Sequence, residues 1–237
     1  MAKSKKNIIV FDFETDGLKD CQPVQIGAVV IEPMNLELIK GSEFCSMMKP
    51  IDINRKDYYD NHADCIKWHA KNYGVSPEEI FNNWYNAPDQ KTVWQQFAEF
   101  VKKYKTSTSH WSCPIPAGKN IRRFDLPIVN KLNDKYKIKT MFHPHHSVDL
   151  EDFTYYWLEF LNEGPISYSM DNLRIFFGLD TNEIAHDALG DARETAIIIQ
   201  RFLRLHKSQA NKIPFKMLLN KCLKNLNFHV VVNFLSK

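Results

Sequence analysis

No stretch of this chain approaches the roughly 18 consecutive apolar residues that a membrane-spanning helix requires, so no such helix is expected. Cysteine is scarce and scattered. Cys21, Cys45, Cys65, Cys113 and Cys222 are odd in number and never spaced Cys-x-x-Cys, which leaves neither a disulfide framework nor a thiolate zinc site to organise the fold. There is no internal repeat and no low-complexity segment, so the expectation is an ordinary globular α/β domain. Lys3, Lys5 and Lys6 ahead of Ile8–Phe11 imitate the start of a secretory signal, but Asp12 cuts the apolar part short, and the expected compartment is the cytoplasm. Acids are absent from the C-terminal part. From Thr195 onward there are eight Lys and Arg and no Asp or Glu, so the chain's +3 is −5 before that point plus +8 after it. A segment of that sign attracts polyanions through counterion release, or its lysines are simply a solvated face.

What the chain does contain begins with Ile8-Ile9-Val10-Phe11-Asp12-Phe13-Glu14-Thr15-Asp16-Gly17. In a strand alternate side chains leave from one face, so Asp12 and Glu14 point together while Phe11 and Phe13 bury behind them. Two neighbouring carboxylates repel unless a proton or a cation sits between them, and such oxygen ligands suit Mg²⁺ or Mn²⁺. The plainer alternative is a strand running into an acidic turn at Asp16-Gly17.

Two more acidic groups follow. Asp125, in Gly118-Lys119-Asn120-Ile121-Arg122-Arg123-Phe124-Asp125, falls at a strand-to-helix junction, where a lone Asp commonly caps the helix. Asp191, in His186-Asp187-Ala188-Leu189-Gly190-Asp191, opens a long helix with Ala188, Ala192, Ala196, Ile199 and Leu203 along one thin apolar face. His186 stands just before it. Most single histidines are structural, but an imidazole is also the natural group to take a proton from an attacking water.

In order and in flanking residues, Asp12, Glu14, Asp125, His186 and Asp191 resemble the DEDD exonuclease superfamily in its His-containing, DnaQ-like branch. The pieces match its Asp-x-Glu, Phe-Asp and His-x-x-x-x-Asp motifs over about residues 7–207. Asn120 five places before Asp125, and the segment from Ser169 through Phe177-Gly178-Leu179 to Ala185-His186, are similar to the exonuclease I type. The resemblance implies a ribonuclease H-like fold and 3'-5' cleavage that releases nucleoside 5'-monophosphates. It implies two divalent cations, Mg²⁺ or Mn²⁺, with Asp12 bridging both, Glu14 and Asp191 completing one site, Asp125 holding the other ion and His186 as general base. Phe13, Thr15 and Leu18 are implied to meet the terminal nucleotide. Lys119, Arg122 and Arg123 either meet phosphates or form a solvated face.

The pattern predicts strands over 7–13, 23–32, 38–49, 114–118 and 147–149. Helices are predicted over 77–84, 90–105, 124–136, 150–161, 169–177 and 187–207. Three strands in series followed by alternation imply a mixed five-stranded sheet with helices on both faces. Pro50–Tyr73 reads as a long irregular loop or short helix near the cleft. Trp94, Phe97 and Val101 fall at helical spacing and read as core, as do most other aromatics among Trp68, Tyr73, Trp84, Trp111 and Trp157. His143, His145 and His146 read as unliganded. The expected organisation is a basic tail over 1–6, an exonuclease domain over 7–207 and a basic extension over 208–237. In that extension Ile213, Met217, Leu218, Cys222 and Leu226 suggest a docking helix and Val230–Val232 an added strand.

The expected partners are single-stranded DNA or RNA 3' ends, with DNA favoured, and a replication or repair protein. The alternatives are an exoribonuclease, a non-catalytic nucleic-acid-binding module on the same fold, and a ribonuclease H-type endonuclease. The presence of all four acids and His186 disfavours the module. The placement of His186 disfavours the endonuclease.

Overall fold

The computed structural model describes residues 5–159, 164–179 and 187–212, with side chains to 209. The chain divides into two compact units, 1–200 and 201–237, and the features below lie in the first, apart from the helical residues 201–212. Three consecutive strands, β1 (Ile8–Thr15), β2 (Pro23–Glu32) and β3 (Glu37–Met47), form the predicted antiparallel meander. β4 (Ile115–Gly118) and β5 (Val148–Asp149) add in parallel on the other side of β1, giving the order β3-β2-β1-β4-β5. β1 is thus a central strand, and its residues are buried throughout, Asp12 partly so.

One face of the sheet carries α4 (Gln90–Lys102) and α5 (Asp125–Tyr136). Their apolar stripes, including Trp94, Phe97, Val101, Val129 and Leu132, join Phe11 and Phe13 in the main core. Trp94 and Phe97 are wholly enclosed, as the helical spacing requires, and Asp89 caps α4 by accepting from the Thr92 N–H. The opposite face receives the start of α8 (Ala188–Lys212), where Ala188, Ala192 and Ala196 have no exposed surface. α6 (Leu150–Leu158) and α7 (Met170–Phe177) complete the connection to it, the first capped by Asp149 and the second by Ser169. Among the described residues no helix is long and apolar enough to cross a membrane.

Of the two forms expected for 50–73, an irregular loop or a short helix, the segment is helical from Tyr58 onward. It folds as α1 (Tyr58–Asn61) and α2 (Ala63–Tyr73), followed by α3 (Pro77–Asn86). Ile66, His69 and Ala70 supply an inward stripe that the polar composition conceals, and Gly74 at φ +66° stops the helix. These helices enclose a second core of Val24, Ile53, Tyr58, Ile66, Ile80 and Trp84. Trp68 and Trp111 depart from the core reading and are 45% and 47% exposed. The expectations for Met1–Ser4, for His186 and for the extension from Ile213 onward, with its docking helix and strand, lie outside the described residues.

Candidate active site

The alternation of β1 does what its sequence requires. Phe11 and Phe13 meet edge to face, 5.9 Å apart, inside the main core, while Asp12 and Glu14 leave from the other face. α8 arrives on that second face. Gly27, the register partner of Asp12 on β2, has no side chain to hold the helix off, and a Cβ there would lie 2.2 Å from the Ala188 carbonyl carbon. The first turn of α8 is also tied down chemically. Gln25, opposite Glu14, donates from Nε2 to Asp187 Oδ1 at 2.7 Å, and Asp187 Oδ2 accepts from the Gly190 N–H at 3.1 Å. Asp191 is thereby brought beside β1. One carboxylate oxygen from each of Asp12, Glu14 and Asp191 lies within 4.8 Å of the others.

Asp125 joins the cluster from the sheet's parallel half. It opens α5, is 1% exposed, and its Oδ1 has no hydrogen-bond partner among the described residues. Loss of hydration, against the help of the Phe13 and Asp125 backbone N–H groups, pushes its carboxyl up to about 8. Glu14 is likewise pushed up to about 8 by burial and then by Asp191, Asp187 and Asp125. Asp12 is raised well above the carboxylate range by burial and by Asp125, Glu14 and Asp191, with Lys119 acting in the opposite sense. The four acids therefore share one electrostatic environment. An orphaned buried oxygen, all-oxygen donors and mutual repulsion fit hard divalent cations.

Other groups hold this cluster, and sequence reasoning missed them. Arg174 of α7 pairs with Asp191 at 2.7 Å. His69 of α2 donates from Nε2 to the Thr15 carbonyl at 3.0 Å, and its Nδ1 stands 4.0 Å from Glu14 Oε2. The Ile66-His69-Ala70 stripe was the signal for His69; an isolated Arg174 gave none.

Beside Glu14 opens a groove of about 730 Å³ whose lining includes Phe13, Thr15, Leu18, Trp68, His69 and Phe124. Phe13 buries its ring, Thr15 is locked by its Oγ1 donating to the Gly17 carbonyl at 2.7 Å, and Leu18 is 90% exposed at the rim. Of the three basic candidates, Lys119 faces Glu151 at 3.5 Å and Arg122 faces Asp152 at 2.5 Å. Arg123 is exposed. His143 Nδ1 accepts from the His145 and His146 N–H groups, and its ring stacks on His146 at 4.3 Å.

The profile of the 3'-5' exoribonuclease Rv2179c-like domain matches residues 7–203. No protein of curated function matches the chain in sequence. The structure of cell-death related nuclease 4 (CRN-4) superposes with a TM-score of 0.61 at 16% identity, over 84% of this chain and 64% of that one. Escherichia coli exonuclease I in complex with a dT13 oligonucleotide gives 0.59 at 17%, over 97% of this chain and 46% of that one. The zinc-bound form of the E. coli exonuclease I complex with single-stranded DNA gives 0.60 at 16%, over 90% and 45%. This chain thus spans about half the length of exonuclease I and under two thirds of CRN-4. At such identities the likeness is one of fold, and it bears out the ribonuclease H-like mixed sheet expected from the motifs. The chain belongs to the 3'-5' exoribonuclease Rv2179c-like domain family.

Proposed function

We propose that this chain removes nucleotides from the 3' end of RNA, with divalent cations held by Asp12, Glu14, Asp125 and Asp191. The observation that carries the reading is the set of three carboxylate oxygens within 4.8 Å, beside an orphaned Asp125 Oδ1, in a chain of an exoribonuclease family. The sequence reading favoured DNA. The family description favours RNA, and the motifs themselves do not separate the two.

Divalent cations bound by these acids would stabilise the charge that develops on the nonbridging, entering and leaving oxygens of the scissile phosphate. The chain's own residues do the rest. Asp12 feels the charges of Asp125, Glu14 and Asp191 and would serve both sides of the cluster, with Glu14 and Asp191 completing one side and Asp125 the other. The groove beside Glu14 receives the terminal nucleotide, with Phe13 and Thr15 presenting backbone and with Leu18 and Trp68 offering apolar surface to the base. Because Lys119 and Arg122 face acids of α6, Arg123 is the cation best placed to follow the phosphates. His186, by its place before Asp191, takes the proton from the attacking water.

The deciding experiment compares matched single- and double-stranded RNA and DNA, labelled at either end, with and without a chelator, alongside circular single strands. The expected result is metal-dependent shortening of linear RNA from its 3' end, with circles untouched. Faster loss of DNA would overturn the substrate. Cut circles would indicate an endonuclease, and no degradation at all would indicate a binding module.

A further inference from the structure

α7 sets one cation against the acid cluster. The Arg174 guanidinium is buried, and each of its nitrogens meets a different carboxylate: Nε meets Glu194 at 2.5 Å, Nη1 Asp171 at 2.8 Å and Nη2 Asp191 at 2.7 Å. Asp191 is at the same time one of the three acids whose oxygens converge. A buried ion pair is weak support for stability, because desolvation offsets much of the attraction. It can nevertheless fix geometry.

Two features say that geometry is what this one supplies. Glu194 is as enclosed as the arginine, with side-chain exposures of 8% and 7%, whereas Asp171 is 78% exposed. The guanidinium's charge is therefore already balanced by Glu194, and its contact with Asp191 adds direction more than charge. The fork itself is rigid and planar, so with Nε fixed on Glu194 the position of Nη2 is dictated. Asp191 and Glu194 are three apart on α8 and project to the same side, which lets one guanidinium take both.

We propose that Arg174 is a positioning residue: by gripping Oδ1 of Asp191 it holds that carboxylate in the orientation in which it meets Asp12 and Glu14 around a divalent cation. The inference rests on the reading of Asp191 as a metal ligand. It makes α7 part of the metal site although no α7 side chain belongs to the acid cluster.

The test is direct Mn²⁺ titration of the full chain without substrate, followed by the free-ion paramagnetic resonance signal, together with steady-state kinetics. Arg174→Lys keeps the charge and loses the fork. The double variant Arg174→Met with Glu194→Gln removes both members of the enclosed pair and leaves neither uncompensated, so it remains informative should the single variant fail to fold. Both are expected to weaken Mn²⁺ binding by about 10-fold or more, as loss of a group that orients a ligand does. In both, kcat should fall with little change in KM for the oligonucleotide, and excess Mn²⁺ should recover part of it. Arg174→Lys with parental Mn²⁺ affinity would overturn the proposal in favour of charge alone, and a folded double variant with parental affinity would overturn it outright. Asp191→Asn is the control. If it too binds Mn²⁺ like the parent, the reading of Asp191 as a ligand fails; if it binds weakly while both Arg174 variants bind normally, only the positioning role fails.

Discussion

Gly27 of β2 and Ala188 of α8 meet backbone to backbone: a Cβ on the glycine would stand 2.2 Å from the Ala188 carbonyl carbon and 2.4 Å from its oxygen. Neither obstacle is a flexible side chain, so Gly27→Ala must push the start of α8 off the sheet. Overpacking of this kind typically costs about 1–3 kcal/mol. The damage should not stop at stability, because the displaced turn carries Asp191 away from Asp12. We expect a lower melting temperature and a loss of Mn²⁺ affinity out of proportion to it. A variant that melts like the parent and binds Mn²⁺ like the parent would refute this account of the contact.

Asp12 touches the other three acids electrostatically, and each of them raises its pKa. Asp12→Ala should therefore abolish turnover while leaving the metal-free protein at least as stable as the parent at about pH 8, since it relieves repulsion as it removes a ligand. His186→Ala should act differently, slowing hydrolysis by roughly 10²–10⁴ while Mn²⁺ binding persists. Parental turnover in the Asp12 variant would end the assignment of the site.

The parts of this site legible in the sequence are those set by local period. Alternation placed Asp12 and Glu14 on one face and Phe11 and Phe13 on the other, and the Ala188-Ala192-Ala196 stripe announced a helix able to approach closely. Which strand that helix approaches is a tertiary fact, and Gly27 in β2 reads locally as nothing more than a weak strand residue. For 58–73 the sequence left loop and short helix both open, because polar Asp, Asn and His residues interrupt a stripe only a few residues long. For Lys119 and Arg122 the sequence left phosphate contact and a solvated face both open, because Glu151 and Asp152, about thirty residues away, give no local sign of facing them. The choice between RNA and DNA is not legible in the motifs, because the same acids serve the phosphodiester of either.

Protonation should govern the metal-free protein. Glu14 and Asp125 are pushed up to about 8, from ordinary values of 4.5 and 3.8, so between those limits the folded state holds protons that the unfolded state has released. Stability is then greatest below the ordinary carboxylate values and is lost as pH rises through about 8. Thermal unfolding in chelator should show a falling midpoint from about pH 5 to about pH 8. Mg²⁺ or Mn²⁺ should restore it most at the alkaline end, where the cations stand in for lost protons. A metal-free midpoint that climbs across this window would contradict the electrostatic description of the cluster.

Trp68 is 45% exposed, lines the groove beside Glu14 and stands edge-on to His69 with ring centroids 4.9 Å apart. A large ring placed there is costly to leave in water and well suited to a base, and stacking on an aromatic side chain is worth about 1–3 kcal/mol per base. Trp68→Ala should therefore raise KM for short RNA by roughly 5- to 150-fold, the rate equivalent of that energy, with kcat nearly unchanged because the acid cluster is untouched. Trp68→Phe should recover most of the loss. The salt dependence of binding should stay parental, since no phosphate contact is removed. A fall in kcat at constant KM would place Trp68 among the supports of the acid cluster instead, through His69 and the Thr15 carbonyl it holds.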